Sequence, residues 1–282
     1  MRRRQELTNA QWKLVEPHLP AGRARGGRWR DHRTVLNGIL WALKTGAKWR
    51  EAPDRYGPRR TVYDRFRRWS RDGTIDRLLK VLQLKLDEQG LIATDLWCVD
   101  APIVRAGRSA AGGKKRRPDL PREPADHALG KSRGGYGTKV HLVTDAAGVP
   151  LAAVVLAGQR HESTQFEAVP GKVRLPRRRG RPRTRPAAVA GDKGYSYARI
   201  RRYPCRRGAR AVIPARNDQR ANSRFDREAY RRRSAVERCV GWLRESRRAA
   251  HRVEKLAAGY PAVVHLAMLR RYLRLLAPSD RA

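Results

Sequence analysis

Cysteine is scarce. Cys98, Cys205 and Cys239 lie far apart and form no C-x-x-C pair, which excludes a zinc knuckle and a disulfide framework. No apolar run approaches the roughly 20 residues a membrane helix needs. The opening Met1-Arg2-Arg3-Arg4-Gln5-Glu6 carries charge with no apolar stretch behind it, so no secretory signal is expected. These shortages predict a reduced, soluble, cytoplasmic protein. The largest shortage is acidic charge: 26 Asp+Glu face 65 Lys+Arg, a net +39. Such an excess repels itself in a compact chain unless a polyanion neutralises it, which makes nucleic acid the natural partner. Charge alone does not separate DNA from RNA, and a membrane-surface protein is the other bland reading. There is no internal repeat.

What is present can fold. The 282 residues are 40% hydrophobic with seven Trp and nine Tyr, enough to bury the core of one large or two modest domains. The first 90 residues read as helical, a domain over 1–90. Thr8 caps a helix carrying Trp12, Val15 and Leu19, stopped by Pro20 and Gly22. A second helix spans about Asp31 to Thr45, with Val35, Ile39, Leu40 and Leu43 on one face and Gly46 ending it. After a turn holding Pro53, Gly57 and Pro58, a third runs from about Arg60 to Asp72. There Val62, Phe66 and Trp69 point inward, and Arg59, Arg60, Arg65, Arg67, Arg68 and Arg71 lie elsewhere. A helix, a short turn and an Arg-dense helix make a helix-turn-helix layout for entering a major groove. An ordinary basic surface helix is the alternative.

From residue 91 the pattern changes, marking a second domain over 91–282. Leu96-Trp97-Cys98-Val99 is a short apolar strand ending at Asp100. Thr138 to Asp145 alternates and turns through Ala146-Ala147-Gly148 into Leu151–Leu156, a hairpin. A helix is expected from Ser163. Ala187–Ala190 reads as a buried strand running into Gly191-Asp192, Tyr197–Arg207 as a helix and Ala211–Pro214 as a strand. One long helix is expected over Asp226–Arg248 and another over Tyr260–Leu276. Two Arg/Gly/Pro-rich breaks, Ala106–Arg133 and Arg177–Arg185, read as exposed loops. The sum is an α/β fold, a mixed sheet covered by helices.

Asp100 and Asp192 each close an apolar strand, and Glu237 sits midway along a basic helix. One acid at a strand exit is usually a cap or an ion pair. Three from separate elements of one sheet can converge, and their mutual repulsion is relieved by a divalent cation. Hard oxygen ligands suit Mg²⁺ or Mn²⁺. Two such ions about 3.5–4 Å apart can activate an attacking oxygen and stabilise a leaving one. Around Glu237, Tyr230, Arg233 and Arg244 return to one helical stripe, where arginines can hold phosphates that bare carboxylates would repel. A helix laced with Arg–Glu pairs is the alternative. Lys193, just after Asp192, is placed to meet DNA. His141 and His161 read as structural hydrogen-bonding residues rather than metal or phosphate contacts, and Trp242 as core.

Six ordered segments carry a resemblance: VDAPIVRA around Asp100, ALGKSRGGYGTKVHLVTDAAGVPL, GQRHESTQ, AGDKGYS around Asp192, RGARAVIPAR, and YRRRSAVERCVGWLR from Tyr230. Together with LTNAQWKLVEPHLP and GAKWREAP…TVYDRFRRW near the start, the chain resembles the DDE transposases of bacterial insertion sequences, in the branch named after insertion sequence 5. The last segment is similar to that family's Y-x2-R-x3-E-x6-K signature through Tyr230, Arg233 and Glu237, with Arg244 where Lys is usual. The resemblance implies a ribonuclease H-like catalytic domain with Asp100, Asp192 and Glu237 as metal ligands. It implies water attack at the element's ends, then attack of the freed 3′ hydroxyls on target DNA. Double-stranded DNA is then the partner, and a homodimer or larger assembly on DNA is expected from cutting two ends together. Glu162 stands where Asp is common, and Gly107-Arg108 where His-rich residues occur. A metal-dependent nuclease of the same fold, a catalytically silent DNA-binding regulator and a basic RNA-binding scaffold are the other classes considered.

Overall fold

The computed structural model describes residues 6–21, 29–111, 127–132, 134–160, 163, 166–220, 223 and 225–278. His161, Glu162, Gly22 and the basic run 113–118 lie outside these residues. Helix α1 (Asn9–Val15) starts where expected: Thr8 Oγ1 accepts the Gln11 N–H at 2.9 Å and the Gln11 side chain accepts the Thr8 N–H at 3.2 Å. Helix α2 (His32–Thr45) begins on Asp31, which accepts the Thr34 N–H at 2.7 Å. It stops at Gly46, whose φ of 71° lies in the left-handed region that ends helices.

Helix α3 (Arg59–Arg71) follows, but not after a short turn. Residues 46–58 contain two 3₁₀ turns and fold back on the helices: Trp49 stacks on Phe66 at 4.8 Å and Tyr56 is buried. The connection is therefore much longer than the three or four residues of a helix-turn-helix. Helix α4 (Thr74–Glu88) was not foreseen as a separate element, although Ile75, Leu78, Leu79, Leu82 and Leu86 recur at helical spacing and are buried. Asp72 accepts the Thr74 N–H at 2.9 Å and turns the chain into it.

The strands are β1 (Leu96–Asp100), β2 (Ile103–Arg105), β3 (Gly130–Ser132), β4 (Gly135–Asp145), β5 (Pro150–Ala157), β6 (Ala188–Ala190) and β7 (Arg210–Val212). One mixed sheet holds them all. β4 pairs antiparallel with β1, β2, β3 and β5, while β1–β6 and β6–β7 are parallel. Thr138 pairs with both Val104 and Ala157, so β5 lies along the opposite edge of β4 from β2. The spine thus runs β5-β4-β1-β6-β7. The hairpin β4–β5 closes on Asp145, whose carboxylate accepts the N–H groups of Ala147 (2.9 Å) and Val149 (2.7 Å). Being central, β4 is buried continuously from Gly137 to Asp145 instead of alternating.

Helix α5 (Arg108–Ala111) and β3 fall inside a stretch read as loop. Among the described residues no α-helix follows Ser163: Phe166, Val169 and Val173 are buried through turns, and Pro170-Gly171 forms a 3₁₀ turn. Helix α6 (Ala198–Arg206) precedes β7. The single helix expected over 226–248 is three: α7 (Arg227–Arg231), α8 (Ser234–Arg244) and α9 (Arg247–Ala250). Hydrogen bonds tighten to i→i−3 between them, as in Arg233 N–H to Tyr230 O at 3.0 Å, and extended, buried Ser246 ends α8.

Helix α10 (Gly259–Leu276) returns to the start of the chain. It packs on α4 and β5 and also meets α1, α2 and α3, so one hydrophobic core runs through both halves. Buried Gln83 fastens this layer, donating to Leu151 O at 2.8 Å and Tyr272 Oη at 3.0 Å. No helix among the described residues is long and apolar enough to cross a membrane.

Candidate active site

Parallel pairing sets the first two carboxylates. Trp97 pairs with Val189 and Cys98 with Ala190; continued by two residues, the register puts Asp100 level with Asp192. Neighbouring strands run about 5 Å apart, so these side chains leave adjacent strand ends on the same face. Asp192 is extended and caps a 3₁₀ turn, its Oδ1 accepting the Gly194 N–H at 2.9 Å. Asp100 Oδ1 accepts the Ala101 N–H at 2.9 Å. Both are half-buried.

The face they share is the one α8 covers: α8 packs on β1 and β4, and Cys98, two residues before Asp100, lies 3.9 Å from Arg232 O. Because the long helix is divided, Glu237 falls in the first turn of α8 instead of mid-helix. That position places a carboxylate at the positive end of the helix dipole. Its partner is Arg233, half-buried between them; the guanidinium bonds Glu237 and lies 5.7 Å from the Tyr230 ring. Burial works against the Arg233 charge, yet Glu237, Tyr230 and Asp100 outweigh it and hold the group above its ordinary pKa. Tyr230, Arg233, Glu237 and Asp100 are thus one electrostatic unit. Arg244 is exposed at the far end of α8, seven residues or about 10 Å of helix from Glu237.

Lys193 is exposed beside Asp192, in a cleft of about 480 Å³ with Tyr197 and Arg216. Arg216 stacks on the exposed Tyr197 ring at 4.2 Å. Neither was singled out from sequence; an aromatic and an arginine far apart in the chain carry no local spacing signal. Arg59, Arg60 and Arg71 of α3 are exposed, and Arg67 and Arg68 are half-buried. Arg65 is corrected: it is buried, its guanidinium 4.3 Å from the Trp29 ring and 2.5 Å from His32 Nδ1, so it packs the helical domain. The i+3 step from Val62 to Arg65 puts it on the inward stripe. His141 is corrected too. It is fully buried and, among the described residues, neither ring nitrogen has a hydrogen-bond partner; burial and nearby Lys139 push its pKa down to about 4. Trp242 packs on the core under the Arg271 guanidinium at 3.5 Å.

Fit to a divalent cation is partial in this arrangement. Asp100 and Asp192 present hard oxygens from one level of the sheet, as a Mg²⁺-type site needs. Glu237 is turned to Arg233, and among the described residues no three His, Cys, Asp or Glu gather closely enough to hold a metal. The Glu237 side chain is 55% exposed, so its rotation is not blocked by packing.

The chain is similar to known transposases. Residues 93–269 match the family model described as "Transposase DDE domain", a ribonuclease H-like domain whose chemistry in general depends on divalent metal. Residues 7–79 match "Putative transposase of IS4/5 family". Among curated relatives, "Putative transposase for insertion sequence element IS402" of Burkholderia cepacia is 34% identical over 154 residues, 53% of this chain and 66% of that protein. "Uncharacterized protein y4sN" of Sinorhizobium fredii is 32% identical over 112 residues, 39% of this chain and 85% of that protein. "Insertion element IS402 uncharacterized 16.2 kDa protein" of Burkholderia cepacia is 34% identical over 122 residues, covering 40% and 81%. No solved structure matches.

Proposed function

This chain belongs to the family of transposases with a DDE domain, and from that premise we propose that it cuts DNA at the ends of an insertion sequence and joins the freed 3′ ends to target DNA. Asp100, Asp192 and Glu237 are the proposed ligands of two divalent ions, Mg²⁺ or Mn²⁺. The observation that supports this most is the shared level of Asp100 and Asp192 on one sheet face, with α8 laying Glu237 over it. Bound there, the ions would supply Lewis-acid activation of the attacking oxygen and charge stabilisation on the leaving one.

The chain's own residues do the rest. Arg233 neutralises the carboxylates and, once Glu237 swings away, presents its guanidinium to the scissile phosphate. Tyr230 orients Arg233 from its ring face. Arg244 and Lys193 hold the flanking phosphates on either side of the sheet end. Residues 1–90 serve as the DNA-binding unit through the exposed arginines of α3, and 91–282 as the catalytic unit. Processing two ends together calls for a homodimer or larger assembly on double-stranded DNA, in the cytoplasm at the nucleoid.

The test is strand cleavage and joining on DNA carrying the element's own ends, with Mg²⁺ or Mn²⁺, comparing wild type with Glu237→Ala. Several kcal/mol of charge stabilisation are at stake, so the variant should lose on the order of 10³-fold or more in rate. Nicking without joining would make the protein a nuclease. End binding with no chemistry in either protein would leave a DNA-binding regulator.

A further inference from the structure

A wide cleft lies away from the carboxylates. It is a space of about 840 Å³ between α3 and residues 253–259, where the helical region faces the segment leading into α10. Its charge is one-sided. Among the described residues the one acid lining it is half-buried Glu254, spent on Arg248 at 2.6 Å. Arg59, Arg67, Arg71 and Lys255 also line it, and among the described residues none of them makes an ion pair. Guanidinium and ammonium groups crowded on a concave wall without counter-charge call for a polyanion.

The same wall is aromatic. Tyr63 is 37% exposed, and half-buried Trp49 lies beside it with ring centroids 5.6 Å apart. Aromatic side chains bind single strands by stacking on unpaired bases, whereas an undistorted duplex keeps its base faces stacked inside. A helix that reads a duplex must also project into a groove about 12 Å wide. Here the arginine-bearing face of α3 looks across a cleft at another part of the chain instead.

We propose that this cleft binds a single-stranded segment of DNA, with phosphates on Arg59, Arg67, Arg71 and Lys255 and a base stacked on Tyr63. The proposal deepens the DNA-partner reading above and does not depend on the carboxylate chemistry. The far wall is fastened to the catalytic sheet: Arg252 N–H donates to Arg105 O at 2.9 Å and Gly107 N–H to Arg252 O at 2.8 Å. From Asp100 the chain follows β4 through β2 to Arg105, five residues or about 17 Å of extended backbone, so the cleft lies where a strand freed at the sheet end can be held.

Full-length protein in EDTA, which stops metal-dependent cleavage, is titrated into a fluorescein-labelled 15-nucleotide oligothymidine and, separately, a mixed-sequence duplex of equal length, read by fluorescence anisotropy. Loss of one stacked base predicts that Tyr63→Ala weakens single-strand binding roughly 5- to 100-fold, with duplex binding changed less than about 2-fold. Tyr63→Phe should restore the affinity, and Lys255→Glu should lower both single-strand affinity and its salt dependence. Unchanged single-strand affinity in Tyr63→Ala, or an equal loss on duplex, overturns the proposal. Melting curves show whether Tyr63→Ala remains folded; if it does not, Lys255→Glu, at an exposed position, decides alone. Because cleavage is never measured, inactivity of the wild type would count against the transposition reading and leave the cleft standing.

Discussion

Arg252 has no exposed surface and donates to Ala128 O at 2.8 Å, Thr138 Oγ1 at 2.6 Å, His127 O at 2.7 Å and Glu254 O at 3.0 Å. Arg233, on the same C-terminal stretch, is half-buried and faces carboxylates and a phenol. The acids divide the same way. Asp145 is fully buried and accepts backbone N–H groups from Ala93, Ala147 and Val149 at 2.7–2.9 Å, whereas Asp192 is half-buried and caps one small turn. A buried charge whose partners are backbone groups is architecture, since no ligand can reach it and removing it strands several dipoles. Charges at the sheet end keep open coordination, which leaves them accessible to a ligand. Arg252 also shows what such bracing achieves: it pins His127 and Ala128, which hold left-handed φ values of 46° and 53° that side chains rarely adopt.

The comparison can be broken most severely at Arg252. Arg252→Met should cost about 3–5 kcal/mol in urea unfolding, because the buried acceptors lose their donor. A loss under about 1 kcal/mol would mean that the brace is redundant.

His141 is a third case, a buried ionisable group with no hydrogen bond among the described residues. Its pKa is about 4 in the fold against 6.5 when exposed. Above pH 6.5 both states are neutral and it contributes nothing. As pH falls from 6.5 towards 4 the unfolded chain takes the proton first, so stability drops, by about 2 kcal/mol at pH 5. In His141→Leu that share of the loss should vanish, which melting curves at pH 7 and pH 5 would reveal; equal acid sensitivity in both proteins would refute it. The smallest effect is expected at the sheet end. Asp192→Asn should change unfolding free energy by no more than about 0.5 kcal/mol, although it removes a proposed metal ligand. A large destabilisation would move Asp192 into the architectural class.

Most elements were legible before the fold was known. Thr8, Asp31 and Gly46 carry their capping chemistry locally, and β1, β5 and β6 announce themselves as short apolar runs between turn residues. The misses share one cause. Arg65 reads as surface by residue type, yet three residues after Val62 it must lie inward, where Trp29 and Trp69 receive it. The break at Ser246 has no composition signal; it lets Arg248 reach Ala47 O at 2.7 Å on the far side of the core. The 3₁₀ turns over 46–58 likewise answer to Trp49 finding Phe66.

By itself the sequence determined the polyanion partner, the α/β class, the family and which acids to suspect, because charge balance, periodicity and motif order are properties of the chain. Only the tertiary structure decided that Asp100 and Asp192 stand level, that Glu237 is held by Arg233, and that the arginines of α3 look into a cleft. Those facts depend on strand register and on contacts between residues far apart in sequence, which are selected by burial of the whole core and cannot be read from any local stretch.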